Sequence, residues 1–153
     1  MNISGKKAVV FGGTSGIGLA TTQMLADGGA TVIAISRDPS KAGALPANVT
    51  IQSCDVRDKV AVEALLNKLG QIDILVSAAT GGDRAIGPFL EMDMDGYKSS
   101  FDKLWGYANV VRYGARNVLD GGSITLVSGA PARNPRPGQI ALSSVGSAVE
   151  AMV

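Results

Sequence analysis

The sequence predicts an α/β fold built on a doubly wound parallel sheet, and three observations support this prediction. Five short apolar runs alternate with segments of helical periodicity along the chain. The apolar runs are continuous, which is typical of strands covered on both faces. A glycine-rich turn stands directly between the first apolar run and the first helical segment. Strands joined through helical crossovers pair in parallel, so we expect three layers, with helices on both faces of one sheet.

The first half of the chain predicts three strands and two helices. The polar residues 37–48, which contain Pro and Gly, predict a loop or a poor helix before the third strand. The strands are residues 8–11, 31–35 and 49–54. The first helix begins at Gly16, ends at 27–29, and has a packed face of Ile17, Ala20, Met24 and Leu25. The second opens at 55–58, stops at Gly70, and places Val62, Leu65, Leu66 and Leu69 at helical spacing.

The second half predicts a strand at 72–76, a long helix, a fifth strand at 123–127 and the start of another helix. The helical pattern runs through 97–119 and is closed by Gly121 and Gly122. Its apolar side holds Phe101, Leu104, Trp105, Ala108, Val111, Ala115, Val118 and Leu119. Such a broad apolar face suits the chain's own core or the same helix of a second copy, so a homo-oligomer through 97–119 is one expectation.

Composition bounds the class of protein. The 153 residues predict one domain, 1–153, and the 14 basic and 13 acidic residues give a net charge of +1. The chain has no basic run or long apolar span, so we expect neither nucleic acid nor a membrane as a partner. It has no histidine, which removes the commonest metal ligand, and we expect no metal site. The single Cys54 predicts a buried thiol in a reducing, cytoplasmic location.

The glycine turn predicts a site for a dinucleotide. Residues 12–18 read Gly-Gly-Thr-Ser-Gly-Ile-Gly where a strand becomes a helix. Glycine there allows main-chain N–H groups and the positive end of the helix to approach a pyrophosphate. The alternative is an ordinary glycine-rich connection. The predicted cofactor contacts in this turn are Gly12, Thr14, Ser15, Gly16, Ile17 and Gly18.

The residues after the second strand favour NADP(H) over NAD(H). A dinucleotide fold that prefers NAD places a carboxylate here for the ribose hydroxyls, and this chain has Ser36 and Arg37 instead. A guanidinium is a planar fork suited to a 2′-phosphate, and Ser36 adds a hydroxyl. The alternative is that Arg37 is a solvated loop charge, and the neighbouring Asp38 counts against a phosphate contact.

Two further sets of candidate contacts follow the third and fourth strands. Asp55 and Val56 are suited to the edge and the face of the adenine ring, although Asp55 is also suited to cap the next helix. Residues 77–82 are small, so we expect Ala78 and Ala79 to let the chain pass close to a flat ring.

These motifs together resemble the short-chain dehydrogenase/reductase family over essentially the whole chain, and the resemblance implies a Rossmann-like fold. It rests on residues 11–18, 54–56, 72–76 and 121–124. It implies cofactor roles for the glycine turn, Arg37, Asp55 and Val56. The family's Asn-Asn-Ala-Gly segment is replaced by residues 77–80, which keep only its third position.

The catalytic half departs from the family. The family's tyrosine and lysine, four residues apart, align with Leu142 and Gly146, neither of which transfers a proton. Its asparagine aligns with Lys103, and its serine aligns with Ser128 or Gly129. Ser128 and Lys103 are therefore the candidate catalytic residues. Their alternatives are a hydroxyl that satisfies backbone at a strand end and a solvated helix-face charge.

The resemblance implies an NADP(H)-dependent oxidoreductase that moves hydride between the nicotinamide and a carbonyl or alcohol carbon. The residues themselves favour a non-catalytic NADP(H)-binding or scaffold protein, which keeps the fold and the anion site without the family's catalytic residues. The family pattern extends beyond residue 153, so we expect the sheet to be truncated after the fifth strand and within the following helix. The chain is then a fragment of a reductase, inactive as it stands, or a protein whose sheet edge a partner covers.

Overall fold

The computed structural model describes residues 2–80 and 82–153, so Gly81 of the small-residue run lies outside the described residues. The helices are α1 Gly16–Asp27, α2 Lys59–Leu69, α3 Met94–Ser100, α4 Asp102–Gly114 and α5 Ile140–Glu150. The strands are β1 Lys7–Phe11, β2 Thr31–Ser36, β3 Val49–Ser53, β4 Ile72–Ser77 and β5 Val118–Leu126. They form one parallel sheet in the order β3-β2-β1-β4-β5. The predicted α/β, Rossmann-like fold is confirmed.

The two faces of the sheet hold separate hydrophobic clusters. Successive side chains of a strand point to opposite faces, so β1 sends Val9 and Phe11 to one cluster and Ala8 and Val10 to the other. Residues of α2 and α4, such as Leu66 and Val110, complete the first cluster. Residues of α1 complete the second. The strand order reverses at β1, and this reversal opens a cleft at the carboxyl ends of the strands.

Helix α2 confirms the predicted packing and corrects the predicted cap. Val62 and Leu66 are fully buried, as their spacing predicts. The helix begins at Lys59, and the carboxylate of Asp58 accepts hydrogen bonds from the N–H groups of Val60 and Ala61, each at 3.0 Å. The expectation that Asp55 caps this helix was wrong, because Asp58 occupies the N-cap position.

The long helix predicted over 97–119 was also wrong. The chain breaks between α3 and α4 at Phe101, and α4 ends at Gly114. Val118 already pairs with Ile72 in the sheet, so Val118 and Leu119 are strand residues whose spacing only imitates a helix. The buried positions of α4 are Gly106, Tyr107, Val110 and Gly114, whereas Trp105 is 65% exposed.

The predicted face of α1 was wrong at Ile17, Ala20 and Met24, which are exposed, whereas Leu25 packs against the second cluster as predicted. Met24 is 74% and Ile17 is 65% exposed, while Gly18, Thr22 and Ala26 are buried against the sheet. Small side chains let the helix approach the strands closely, so the packed face carries the less apolar residues. Counting apolar residues alone therefore selects the wrong side.

Strand β5 forms one edge of the described sheet and is largely exposed. Its pairing with β4 shifts register between Ile72 and Ile74, where Gly121 takes a φ of +76°. The glycines at 121 and 122 therefore lie in an irregularity of the strand rather than at a helix end.

Within the described residues, no helix has both the length and the apolar character needed to cross a membrane.

Candidate functional site

A cleft of about 690 Å³ opens at the carboxyl ends of the strands. The turns after β1 and β2, the segments after β3, β4 and β5, and the helices α4 and α5 all contribute to its wall. All but two of the predicted site residues line it. The predicted residues in the wall are Gly12, Thr14, Ser15, Gly16, Ile17, Ser36, Arg37, Val56, Ala78, Ala79, Lys103 and Ser128.

The glycine turn is held tightly against the segment that follows β4. The N–H of Gly12 donates to the carbonyl of Ile35 at 2.8 Å, and the N–H of Ala78 donates to the carbonyl of Phe11 at 2.9 Å. Gly12 has a φ of +78°, and a Cβ on it would lie 2.7 Å from the nitrogen of Ala79. The turn therefore needs glycine at position 12 for both its conformation and its contact.

Gly18 is one of the two predicted residues outside the cleft wall. A Cβ on Gly18 would lie 2.0 Å from the carbonyl oxygen of Gly12. Gly18 therefore allows α1 to begin directly against the turn, which is a packing role. A direct contact between Gly18 and a cofactor stays a prediction.

The N-terminus of α1 faces the turn with uncapped N–H groups. Ser15 is the N-cap residue, and within the described part of the chain its side chain makes no capping hydrogen bond. The first N–H groups of a helix have no partner inside the helix, and together with the helix dipole they favour an anion. Ser15, Gly16 and Ile17 all line the cleft at this point.

The segment after β2 brings two cations to the cleft wall. Arg37 was predicted there, and Lys41 joins it from the short helix Pro39–Lys41. The carboxylate of Asp38 accepts from the N–H of Ser40 at 3.2 Å and lies 3.3 Å from the Lys41 Nζ. Hydrogen bonding by Ser40, followed by Lys41, lowers the pKa of Asp38 below its usual value. The Asp38 charge is thus balanced locally. Sequence reasoning missed Lys41 because this short helix is what carries it to the cleft.

Asp55 is the other predicted residue outside the cleft wall. Its carboxylate accepts hydrogen bonds from Arg57, at 2.7 Å from Nη2 and 3.1 Å from Nε. The Arg57 side chain is the main reason that the pKa of Asp55 lies below its usual value. Its neighbour Val56 is buried in the cleft wall. A contact between Asp55 and an adenine ring stays a prediction.

Lys103 extends from α4 into the other end of the cleft, which we call the reactive end because the two candidate catalytic residues lie there. Its Nζ donates to the carbonyl of Ser128 at 3.2 Å and lies 5.3 Å from the centroid of the Tyr107 ring. Burial and the positive charge of Arg84, in that order, lower the pKa of Lys103. The alternative of a solvated helix-face charge therefore does not describe this side chain.

The hydroxyl of Ser128 donates to the carbonyl of Gly146 at 3.1 Å. This contact matches the alternative in which a strand-end hydroxyl satisfies backbone. Tyr107 is fully buried, and its hydroxyl donates to the carbonyl of Val127 at 3.0 Å. Burial raises the pKa of Tyr107 above its usual value. Helix α5 completes this end of the cleft with Ala141, Leu142, Val145 and Gly146.

Sequence reasoning missed Arg84 and Tyr107, both of which line the cleft. Arg84 lies in the irregular segment between β4 and α3, where no periodicity predicts a position. Tyr107 has no lysine four residues later, so the family's catalytic spacing does not select it. The spacing of four between Lys103 and Tyr107 is the signal that places both on one face of a helix.

Among the residues described, no three His, Cys, Asp or Glu side chains are grouped so as to hold a metal ion.

Known proteins share this fold and sequence pattern. Short-chain dehydrogenase/reductase ABA4 of Pyricularia oryzae is 33% identical over 141 residues, which cover 82% of this chain and 52% of the relative. A dehydrogenase/reductase from Sinorhizobium meliloti 1021 is 28% identical with a TM-score of 0.87, covering 99% of this chain and 66% of that one. A short chain dehydrogenase from Burkholderia cenocepacia J2315, solved in complex with NADP, shares the fold at a TM-score of 0.89 and 24% identity, covering 99% of this chain and 65% of that one.

The chain spans about half the length of the curated relative ABA4. The family model described as short chain dehydrogenase matches residues 6–153, which is nearly the whole sequence. This chain therefore belongs to the short chain dehydrogenase family, whose members are oxidoreductases.

Proposed function

We propose that the cleft binds NADP(H) in preference to NAD(H) and that the chain forms the cofactor-binding part of an oxidoreductase acting on a carbonyl or alcohol. The observation that carries the cofactor preference is the pair of cations, Arg37 and Lys41, on the cleft wall after β2. The nearby carboxylate, Asp38, is engaged by Ser40 and Lys41. A 2′-phosphate would meet net positive charge at this point.

The residues present fit such a cofactor. The cradle at Gly12 is one that a Cβ would fill, and it lies beside the uncapped N-terminus of α1. Backbone N–H groups of Ser15, Gly16 and Ile17 would hold the pyrophosphate. Ile17 is apolar yet 65% exposed at the cleft wall, which suits a side chain that covers a bound group. Val56 would contact the adenine face, and the small Ala78 and Ala79 would let the chain pass close to a flat ring of the cofactor.

The cofactor, when bound, supplies hydride chemistry at the nicotinamide ring. The chain must then orient a substrate and manage one proton at its oxygen. Lys103 is the residue whose ammonium reaches the reactive end of the cleft. The Ser128 hydroxyl already donates to Gly146, so it would have to rotate before it donates to a substrate. A missing general acid typically costs 10²–10⁴-fold in rate, and we expect slow turnover.

A second candidate function is NADP(H) binding without catalysis. The observation that favours it is the apolar surface that α5 presents to the cleft, formed by Ala141, Leu142, Val145 and Gly146. The positions that resemble the family's tyrosine and lysine, Leu142 and Gly146, lie on this surface. A protein of this kind would retain the anion site and act as a sensor or scaffold.

Cofactor titration tests the first part of the proposal. Binding of NADPH and NADH is followed by the fluorescence of the reduced nicotinamide. We expect NADPH to bind more tightly, and Arg37→Ala to reduce its affinity about 10- to 100-fold with little effect on NADH, since hydrogen bonds to charged groups contribute about 1.5–3 kcal/mol. Arg112→Ala removes an exposed charge of α4 outside the cleft wall and is the matched control. Equal affinities for the two cofactors in the wild type would refute the preference.

Turnover separates the two candidate functions. The wild type is assayed with NADPH and a panel of ketones and aldehydes, beside Lys103→Met, Ser128→Ala and the Arg112→Ala control. Turnover that Lys103→Met lowers and Arg112→Ala does not would support the oxidoreductase. NADPH binding without any turnover above background would support the non-catalytic binding protein.

We propose, in addition, a cytoplasmic location and pairing of two copies through residues 97–119.

A further inference from the structure

The charged residues on the cleft wall are unevenly distributed. They are Arg37, Asp38, Lys41, Arg84 and Lys103. The one carboxylate in this set, Asp38, lies after β2 and is engaged by Ser40 and Lys41. Lys103 and Arg84 thus bring two positive charges to the reactive end, where the described residues of the wall carry no negative charge.

Lys103 is held in position without a carboxylate. Its Nζ donates to the Ser128 carbonyl at 3.2 Å and lies over the Tyr107 ring. An ammonium has three donors, and the Ser128 carbonyl uses one of them. Within residues 2–80 and 82–153, no carboxylate oxygen lies within 4.0 Å of Lys103. A partly buried charge without an ionic partner is unfavourable, so an anion that enters the cleft would stabilise it.

Arg84 lines the same cleft as Lys103 and is exposed. It also borders a neighbouring hollow that contains Glu91 and Asp93. The Asp93 carboxylate is used to cap α3, accepting from the Gly96 N–H at 2.9 Å. Among the described residues, Arg84 forms no ion pair with either acid. Its charge reaches Lys103, because it is one of the two causes that lower the pKa of that amine.

We infer that the reactive end of the cleft takes a carbonyl substrate that carries a carboxylate or a phosphate, held between Lys103 and Arg84. The inference rests on the proposed function, since it names the substrate class of the same site. Apolar side chains of α5 also line the cleft, and an apolar wall limits solvent screening and strengthens the attraction. The glycine turn, at the other part of the cleft, is left for the cofactor's pyrophosphate.

Matched probes test the inference by titration calorimetry on the full chain. The probes are 4-acetylbenzoate, its neutral methyl ester, and 4-acetylphenyl phosphate, each with and without saturating NADPH. We expect the benzoate to bind about 10- to 100-fold more tightly than the ester. The phosphate arm shows which anion is preferred, and NADPH blocks any binding of the phosphate at the cofactor's own phosphate positions.

Four variants identify the residues responsible. Lys103→Met and Arg84→Met should each reduce the preference for the benzoate over the ester about tenfold, and Lys103→Arg should restore part of it. Arg112→Met removes the same charge from α4 outside the cleft wall and should leave the preference unchanged. Circular dichroism and NADPH titration establish that each variant is folded. If Lys103→Met does not fold, Arg84→Met decides, since Arg84 lies in a loop.

The outcomes separate the inference from the proposed function. Equal binding of acid and ester by a chain that binds NADPH would overturn the inference and leave the cofactor proposal standing. A preference that Arg112→Met reduces as much as Lys103→Met would overturn it also, since net charge alone would then explain it. If the wild type does not bind NADPH but still prefers the acid to the ester, the proposed function is refuted instead.

Discussion

Replacing Gly18 with alanine tests how the glycine turn is built. A Cβ at this position would lie 2.0 Å from the carbonyl oxygen of Gly12 and 2.7 Å from its carbon, whereas ordinary contacts are 3.4–4 Å. Both atoms belong to the backbone of the turn, so they cannot swing away as a flexible side chain does. The turn or the start of α1 must therefore move by more than 1 Å.

The expected cost is that of overpacking. Extra atoms in a closely packed site cost about 1–3 kcal/mol, and the rigid neighbours place Gly18→Ala toward the upper end. For a domain of this size each kcal/mol lowers the melting temperature by about 2–4 °C. The variant should stay folded, because the free energy of unfolding of a native domain is about 5–15 kcal/mol, which exceeds this cost. Its NADPH affinity should fall as well, since the displaced N–H groups no longer converge on one anion.

Urea unfolding and NADPH titration measure both effects, and Gly43→Ala is the matched control. A methyl group added at position 43 would have no atom within 4 Å, and the backbone there has no positive φ, so alanine should be neutral or slightly stabilising. If Gly18→Ala unfolds at the wild-type urea concentration and binds NADPH normally, the close packing of α1 against the turn is refuted.

Four further predictions follow from single contacts. Asp58→Ala should lower the free energy of unfolding by about 0.5–2 kcal/mol through loss of the α2 cap, and unchanged urea unfolding would contradict this. Asp73 accepts from Lys6 Nζ at 2.7 Å, which lowers its pKa, so its stabilisation is present above about pH 4 and lost as pH falls through the lower folded value. Asp73→Asn should reduce the loss of stability at acid pH. If the free energy of unfolding falls equally in the variant and the wild type from pH 6 to pH 2, this prediction is wrong. Burial raises the pKa of the Cys54 thiol to about 11, so at pH 8 a disulfide reagent should react about a hundredfold more slowly than with an exposed thiol, and fast reaction in the folded protein would disprove the burial. Trp105→Ala should shift a homo-oligomer toward monomer in sedimentation, and a monomeric wild type would rule out pairing through this surface.

The sheet could be predicted because each strand carries its own signal. Continuous apolar runs such as residues 8–11 are buried on both faces, and no distant partner is needed to recognise them. The helices are harder, because an apolar side chain does not by itself say which face packs. Met24 is exposed on α1 since Gly18 and Ala26 allow the closer approach. Local spacing predicts a helix at Val118. The structure places Val118 in a strand paired with Ile72, and local spacing does not reveal a contact between such distant parts of the chain.

Some residues of the candidate site were also predictable from the sequence, and others were not. The glycine turn and the residues after β2 were predictable, because strand ends of a parallel sheet meet at one edge. Lys41 and Arg84 were not, because irregular segments bring them to the cleft wall. Asp55 lies outside the wall, and Arg57, two residues later, engages its carboxylate. A local contact of this kind competes with any ligand and is invisible to a motif.

The cofactor part and the reactive part of the cleft depend on different features of the chain. The glycine turn of the first part depends on backbone, because Gly12 needs its positive φ and Gly18 its missing side chain, so few substitutions preserve the turn. The second depends on side chains that α4 and α5 carry into the cleft, although Gly146 also has a packing role, because a Cβ there would lie 2.9 Å from the Cβ of Ala132. The anion site can therefore persist while the proton-transferring groups change. In this chain that leaves Lys103, fixed by the Ser128 carbonyl, as the side chain on which the choice between an oxidoreductase and a binding protein depends.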